Sequence, residues 1–197
     1  MRLILIMLIS IFTYQSLAKA DDIREFTIEG MSIGDSLYKH FSAEKIFNSQ
    51  VDWYDDLEKY KYNSYAFSSD KFHTYDFIDL WVKYDDKDIK IDSMAGVLYF
   101  GNDKKIKDIN DCYKTQKNIA DELLVIFKNA KKFGPTKEIF YTADPSGKTS
   151  YTDIYLDINN EYEVAIGCYD WSDKFLGIKE DHLGLSLRSK ALSFWLN

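Results

Sequence analysis

The chain has 197 residues, of which 46% are apolar and 16% aromatic, and a formal net charge of −7. This length and apolar content predict one domain with a single core. The acidic balance disfavours a nucleic acid or an anionic membrane as partner, because the summed field repels polyanions unless basic residues cluster.

An export signal is predicted over residues 1–20. Met1 and Arg2 form a short basic start, Leu3 to Phe12 is an apolar run broken only by Ser10, and Ala18-Lys19-Ala20 gives a small-x-small cleavage site. Such a run is too short to span a bilayer core of roughly 30 Å. We therefore expect cleavage after Ala20, no stable membrane anchor afterwards, and a periplasmic or secreted protein. The mature chain, 21–197, carries 23 basic and 32 acidic residues, a formal net charge of −9.

The first half of the mature chain predicts a strand, a helix and a long hairpin. Residues 23–29 alternate as in a strand, and residues 36–47 place apolar side chains on one side of a helix. An aromatic-rich segment over 51–77 follows. Two β-prone runs, 78–84 and 89–100, then flank a polar turn at 85–88 and indicate an antiparallel hairpin.

The second half predicts a long helix and three further strands. Residues 109–127 have the three-and-four spacing of an amphipathic helix, interrupted by Gln116, with Asp108 or Asn110 as cap and Gly134-Pro135 as its stop. Strands over 150–158 and 162–171 flank a turn at 159–160, and a last strand over 183–187 precedes a short helix capped by Ser189. Helices separated by hairpins predict an α+β domain, an antiparallel sheet of about five to six strands with two main helices packed on one face.

Two cysteines, Cys112 and Cys168, lie in the mature chain, 56 positions apart. An even count in an oxidising compartment favours one disulfide, which would place the strand of Cys168 against the start of the long helix. Two buried free thiols are the alternative. A zinc site is disfavoured, because neither cysteine has a CxxC partner or a histidine nearby in sequence.

The tetrapeptide Gly34-Asp35-Ser36-Leu37 resembles the nucleophile motif of the GDSL esterases and lipases. The resemblance implies Ser36 as nucleophile and His182 as base, with Asp181 as the acidic partner. The pattern departs further on: Lys179 stands three before His182, and the family's parallel sheet is not what the hairpins predict. The alternative interpretation is a helix start, with Gly34 making the turn and Asp35 or Ser36 accepting a backbone N–H.

The aromatic segment suggests a second kind of site. Trp53, Tyr54, Tyr60 and Tyr62 could form a platform for a sugar or a peptide, since Tyr and Trp combine stacking with hydrogen bonding. The alternative is that these residues fill one sheet face. The three histidines, His40, His73 and His182, show no ligand spacing, so neither a metal nor a cofactor is expected.

The run Ile28-Glu29-Gly30-Met31-Ser32-Ile33-Gly34-Asp35-Ser36-Leu37, together with Cys168-Tyr169-Asp170-Trp171, resembles a group of small exported bacterial proteins without an established activity. The resemblance implies a recurring exported domain and transfers no functional residues. We therefore expect a non-enzymatic binding or interaction module for an unidentified protein or small ligand. A serine hydrolase is the alternative, and a small-ligand carrier that uses the aromatic segment is a further one.

Overall fold

The computed structural model describes residues 23–51, 61–139, 144, 146–172 and 180–196. The predicted signal over 1–20 and its cleavage site lie outside these residues. Within the described ranges, eight strands form one antiparallel sheet with the order β1-β2-β3-β4-β8-β7-β6-β5. The strands are β1 Gln50–Val51, β2 Tyr62–Phe67, β3 Phe77–Lys83, β4 Ile91–Tyr99, β5 Lys131–Ile139, β6 Ser150–Asp157, β7 Tyr162–Asp170 and β8 His182–Ser189.

Three α-helices accompany the sheet within the described ranges: α1 Ala43–Asn48, α2 Ile109–Ile126 and α3 Lys190–Leu196. The α+β class is therefore confirmed, whereas the expected five to six strands are too few. None of the described helices combines the length and the apolar character that crossing a membrane requires.

The two faces of the sheet carry different elements, with α2 and the opening segment on one face and the short α3 on the other. The first face packs against α2 and against the segment from Ile23 to Ile46, and it holds the large core cluster around Leu80, Ile166 and Leu185. Because side chains alternate along a strand, Trp81 and Ala95 point to the second face. There they pack with Leu192 of α3.

The opening segment differs most from its prediction. The expected strand over 23–29 is a 3₁₀ turn, Ile23–Glu25, followed by a single bridge between Ile28 and Met31. The expected helix over 36–47 is divided into a 3₁₀ turn, Leu37–Lys39, and the short α1, whose cap is Ser42. Backbone hydrogen bonds hold this segment against the start of β4, since the N–H of Leu37 donates to the carbonyl of Ile89. These contacts with another strand outweigh a weak helical preference.

The predicted hairpins and the predicted caps of α2 and α3 agree with the structure. β3 and β4 pair antiparallel, as do β6 and β7. Asp108 caps α2 by accepting hydrogen bonds from the N–H groups of Asn110 and Asp111. Ser189 Oγ accepts from the N–H of Leu192 and so caps α3. Each of these features depends on local chemistry that the sequence displays directly.

A disulfide joins Cys112, near the start of α2, to Cys168 on β7, with 6.0 Å between their Cα atoms. Both side chains are fully buried, in a cluster with Leu98 and Leu183. The bridge attaches the helix to the middle of the sheet, as the sequence predicted.

Gln116, the interruption in the apolar pattern of α2, is buried and binds the sheet backbone. Its Nε2 donates to the carbonyl oxygens of Thr152 on β6, at 2.5 Å, and Ile166 on β7, at 2.6 Å. A polar residue in this position is therefore satisfied by two strands at once.

We expect Gln116→Leu to lower the free energy of unfolding by about 2 kcal/mol, because it buries two carbonyl groups without these donors. Urea denaturation of the mature protein measures the change. The control is Gln50→Leu at an exposed position, expected to change stability by less than about 0.5 kcal/mol. Equal effects of the two substitutions would contradict the structural role of Gln116.

Candidate functional site

Ser36 and His182, the residues implied by the GDSL resemblance, lie at opposite ends of β4. Ser36 forms a bridge with Lys90, just before β4, whereas His182 pairs with Tyr99 at its other end. Nine positions of extended chain separate Lys90 from Tyr99, roughly 30 Å at the rise of a strand. The structure therefore does not bring the serine within hydrogen-bond reach of this histidine.

The Ser36 hydroxyl has a structural partner. Its Oγ donates to the carbonyl of Asp88, at 2.7 Å, and the side chain makes no cap bond to the following 3₁₀ turn. Gly34 does make the predicted turn, with φ of 91°. The alternative interpretation of this motif is thus correct for the turn at Gly34 and wrong for a helix cap by Ser36. The Ser36 side chain instead binds the loop between β3 and β4.

Asp35, the neighbour of Ser36, is held by three donors. The N–H of Ser32, Lys39 Nζ and His40 Nε2 all lie within hydrogen-bond distance of its carboxylate. Burial opposes ionisation, but these hydrogen bonds outweigh it and place the pKa of Asp35 below its ordinary value. The carboxylate therefore stabilises the turn in its charged form.

Asp181 and His182 also bind backbone groups. Asp181 Oδ1 accepts from the N–H of Trp171 at 2.7 Å, and His182 Nδ1 lies 2.7 Å from the carbonyl of Glu180. A carbonyl only accepts, so Nδ1 is the protonated nitrogen of His182. Asp181 thus links the end of β7 to the start of β8.

We expect a fluorophosphonate probe to leave the mass of the mature protein unchanged, because the Ser36 hydroxyl donates to the carbonyl of Asp88 and its implied base, His182, lies at the other end of β4. Intact-mass spectrometry with a serine protease in the same tube provides the positive control. Labelling that disappears in Ser36→Ala would contradict this assignment.

Of the predicted aromatic platform, Trp53, Tyr54 and Tyr60 lie outside the described residues. Tyr62 is buried and packs against Trp195 of α3, with 5.4 Å between the ring centroids. Burial raises the pKa of its hydroxyl. Tyr62 is therefore a core residue of the second face.

The second face beyond α3 carries a group of polar and aromatic side chains, and we call it the polar face. Its middle row crosses five strands. That row consists of Asp79, Ala95, Ser186, Ala165 and Tyr155, directly opposite one another in register. The three central members are small, and two of them, Ala95 and Ala165, are buried.

A row of rings borders the polar face. Tyr99, His182, Tyr169 and Tyr151 are successive cross-strand neighbours on β4, β8, β7 and β6. The His182 and Tyr169 rings stack with centroids 4.4 Å apart, and Tyr169 and Tyr151 stack at 5.7 Å. Cross-strand aromatic pairs of this kind stabilise a sheet. The Tyr151 hydroxyl at one end of the row donates to Glu138 Oε2 at 2.8 Å.

Two glycines lie between the ring row and the middle row. A Cβ at Gly167 would meet the Tyr169 ring at 2.8 Å and Asp153 Oδ1 at 2.7 Å, so any larger residue there requires these side chains to move. A Cβ at Gly184 would meet only the same ring at 3.7 Å, an ordinary contact. Gly184 is thus the position on this floor where a larger side chain can be introduced without a backbone clash.

A connected polar network occupies the end of this face near β6. Asp153 Oδ2 accepts from the Tyr155 hydroxyl at 2.9 Å, and the Arg188 guanidinium lies over the Tyr155 ring while its Nη2 donates to Glu163. Burial raises the pKa of Asp153 to about 6, although Tyr155 and Arg188 pull it down.

Several buried polar atoms of the polar face have no hydrogen-bond partner in the described part of the chain. They include Asp79 Oδ1, Trp81 Nε1 and Arg188 Nε. Buried polar atoms are almost always satisfied, so each exception needs a physical explanation. Burial alone raises the pKa of Asp79 to about 8, which leaves this carboxyl mostly protonated at neutral pH.

The polar side chains around Asp79 and Asp153 were not predicted as a site, although the sequence contained an indication of them. Asp79 and Asp153 are single acidic residues within otherwise strand-forming runs, Phe77–Lys83 and Ser150–Asp157. Asp is depleted in strands, so its appearance at a face position calls for a specific role. Across the described residues, no group of three or more His, Cys, Asp or Glu side chains is arranged to hold a metal ion.

Comparison with protein-family models, with curated proteins and with solved structures finds no significant match to this chain.

Proposed function

We propose that this chain is an exported, non-enzymatic binding domain that holds its ligand on the polar face. Support comes from the sheet itself, since one face is covered by α2 and the opening segment whereas the other carries only α3 among the described helices. The observation that carries the proposal is that several buried polar atoms of this face have no hydrogen-bond partner among the described residues, which is unusual for a purely structural surface.

The local chemistry favours recognition over catalysis. The face combines a row of rings, a floor of small residues and a few convergent polar groups, which is the usual composition of a small-molecule site. The hydroxyl implied as nucleophile lies elsewhere, bound to the carbonyl of Asp88. The disulfide between Cys112 and Cys168 is in keeping with an oxidising compartment, periplasmic or extracellular, and so supports export.

The test compares the mature protein with Gly184→Val in a thermal-shift screen of neutral oligosaccharides and short peptides. Valine suits a strand, and its side chain rises from the floor of the polar face, where a Cβ makes only an ordinary contact. We expect at least one compound to raise the melting temperature of the wild type and to lose this effect in the variant.

A matched control is Val125→Leu on the exposed side of α2, which is expected to respond like the wild type. Compounds that stabilise Gly184→Val as strongly as the wild type would place binding elsewhere. A screen without any stabilising compound would count against a binding function for this face.

A further inference from the structure

An open groove of about 560 Å³ lies between α3 and the ends of β2 and β3. On the strand side, Tyr62 pairs with Lys83, and the N–H of Tyr84 donates to the carbonyl of Lys61 at 3.0 Å. All four of these residues line the groove. The backbone pairing therefore fixes the strand side, and the volume is within the range of roughly 300–1,000 Å³ that is usual for small-molecule sites.

The helix side of the groove follows from the spacing of residues along α3. Residues three apart share one side of a helix. Leu192 and Trp195 face the core of the second face, whereas Ala191 and Phe194 line the groove. Phe194 is 83% exposed, and Tyr84 on the strand side is 55% exposed. Two exposed aromatic side chains beside one groove form an apolar patch of the kind that marks binding sites.

Two lysines and one aspartate give the groove its charge. Lys83 Nζ lies 3.3 Å from Asp92 Oδ1, and the negative charge of Asp92 raises the pKa of Lys83, which therefore stays protonated. An ammonium group has three N–H donors, so the ion pair with Asp92 leaves Lys83 with donors for a ligand. Lys61 is exposed and adds a second ammonium, while Asp85 contributes a carboxylate to the lining. Among the described lining residues, donors thus outnumber acceptors.

We propose that this groove binds a carboxylate attached to an apolar group, with the carboxylate at Lys61 and Lys83. The apolar group lies between Tyr84 and Phe194 and removes their exposed rings from water. The carboxylate accepts charge-assisted hydrogen bonds from the ammonium groups. Asp85 repels a second negative charge, so the ligand is a monoanion. This site lies apart from the middle row and the ring row of the polar face, and it goes beyond the proposed function.

The experiment titrates the mature protein with small probes and records ¹H–¹⁵N spectra. Phenylacetate carries both a ring and a carboxylate. Phenylacetamide is its neutral counterpart, benzylammonium carries a positive charge, and acetate lacks the ring. We expect phenylacetate to shift the signals of residues 83–85 and 191–194 in a saturable manner, and the other three probes to shift them much less.

Phe194→Ala tests the apolar part of the site. We expect this substitution to weaken phenylacetate binding by about tenfold, because it removes apolar surface that the bound ring would cover. Since the Phe194 side chain is largely exposed, its removal does not threaten the fold. The matched control is Phe47→Ala, which removes an equally exposed ring from α1 and is expected to bind phenylacetate like the wild type.

Lys61→Gln tests the charged part of the site. It keeps a long polar side chain and removes the charge, and it is expected to weaken phenylacetate binding by about threefold, as for an exposed ion pair. The matched control is Lys87→Gln in the turn between β3 and β4, outside the groove lining. It changes the net charge equally and is expected to leave the affinity unchanged.

Equal shifts with phenylacetate and phenylacetamide, or stronger binding of benzylammonium, would overturn the assignment of a carboxylate ligand. An unchanged affinity in Phe194→Ala, or phenylacetate shifts confined to the ring row, would overturn the groove as the site. None of these outcomes bears on the proposed function, because its test is the separate thermal-shift screen with Gly184→Val.

Discussion

The wild type is expected to lose stability as the pH rises from about 5 to about 8, and Asp79→Asn is expected to abolish most of this pH-dependent loss. Burial raises the pKa of Asp79 to about 8 in the folded protein, whereas an unfolded Asp titrates near its ordinary value of 3.8. Between these values the folded state binds one more proton than the unfolded state. Stability therefore falls with rising pH, by up to about 1.4 kcal/mol per pH unit.

Asp153 also lowers the stability of the protein as the pH rises, but over a lower pH range than Asp79. Its pKa is raised to about 6, so its contribution ends near that pH. Above about pH 6 the remaining slope from these two carboxyls belongs to Asp79 alone. An asparagine cannot ionise, so Asp79→Asn is expected to flatten the profile from about pH 6 to 8 while the Asp153 contribution below pH 6 persists.

Urea denaturation of the mature protein at a series of pH values measures both profiles. Asp103→Asn, at an exposed loop position, is the matched control and is expected to leave the wild-type slope unchanged. A wild-type profile that is flat or rising between about pH 6 and 8, or an Asp79→Asn profile that follows the wild type, would contradict the neutral state of Asp79.

Replacing Cys112 and Cys168 together with alanine is expected to lower the free energy of unfolding by about 4 kcal/mol. The bridge closes a loop of 56 positions, and its removal releases that constraint in the unfolded chain. The effect is large relative to the total stability of an ordinary domain, about 5–15 kcal/mol.

The double substitution is compared with the oxidised wild type by urea denaturation, with the free-thiol content of each sample measured in parallel. Leu192→Ala is a core substitution in α3, far from the disulfide in sequence. It measures how much stability a core substitution costs when the disulfide is intact. A loss below about 1 kcal/mol in the double variant would contradict the stabilising role of the disulfide.

Local chemistry explains the parts of the fold that the sequence predicts. The β3–β4 and β6–β7 hairpins have β-prone runs on both sides of polar turns, and Asp108 and Ser189 are ordinary helix caps. The Cys112–Cys168 pairing likewise follows from an even cysteine count. Each of these features is decided by neighbours in sequence or by a single covalent constraint.

The elements that were mispredicted depend on distant partners. Gly134-Pro135 was expected to stop the long helix, yet the pair lies inside β5, where the register with β6 shifts. An irregular edge strand tolerates a proline that a central strand would not. The opening segment does not form a continuous helix, because its backbone groups hydrogen-bond to residues 89–91. No local sequence pattern indicates these bonds.

The candidate site was the least predictable part. Asp79, Ser186 and Tyr155 come from three strands that are far apart in sequence, and only the strand order places them in one row. The sequence indicated Ser36 instead of the polar face, because the GDSL tetrapeptide is a motif of consecutive residues. What marks Asp79 is a buried Oδ1 that has no partner among the described residues, and this can be seen only after the strands are assembled.

The most direct test of the account is a carboxyl ¹³C titration of Asp79 in the mature protein, with Asp79→Asn used to assign its signal. The account predicts a titration midpoint near the pKa of about 8 that burial without a partner produces. It also predicts that a neutral ligand bound on the polar face changes the chemical shift of this carboxyl. A midpoint close to the ordinary 3.8 would show that Asp79 is solvated or paired, and it would contradict the claim that the polar face keeps unsatisfied groups for a ligand.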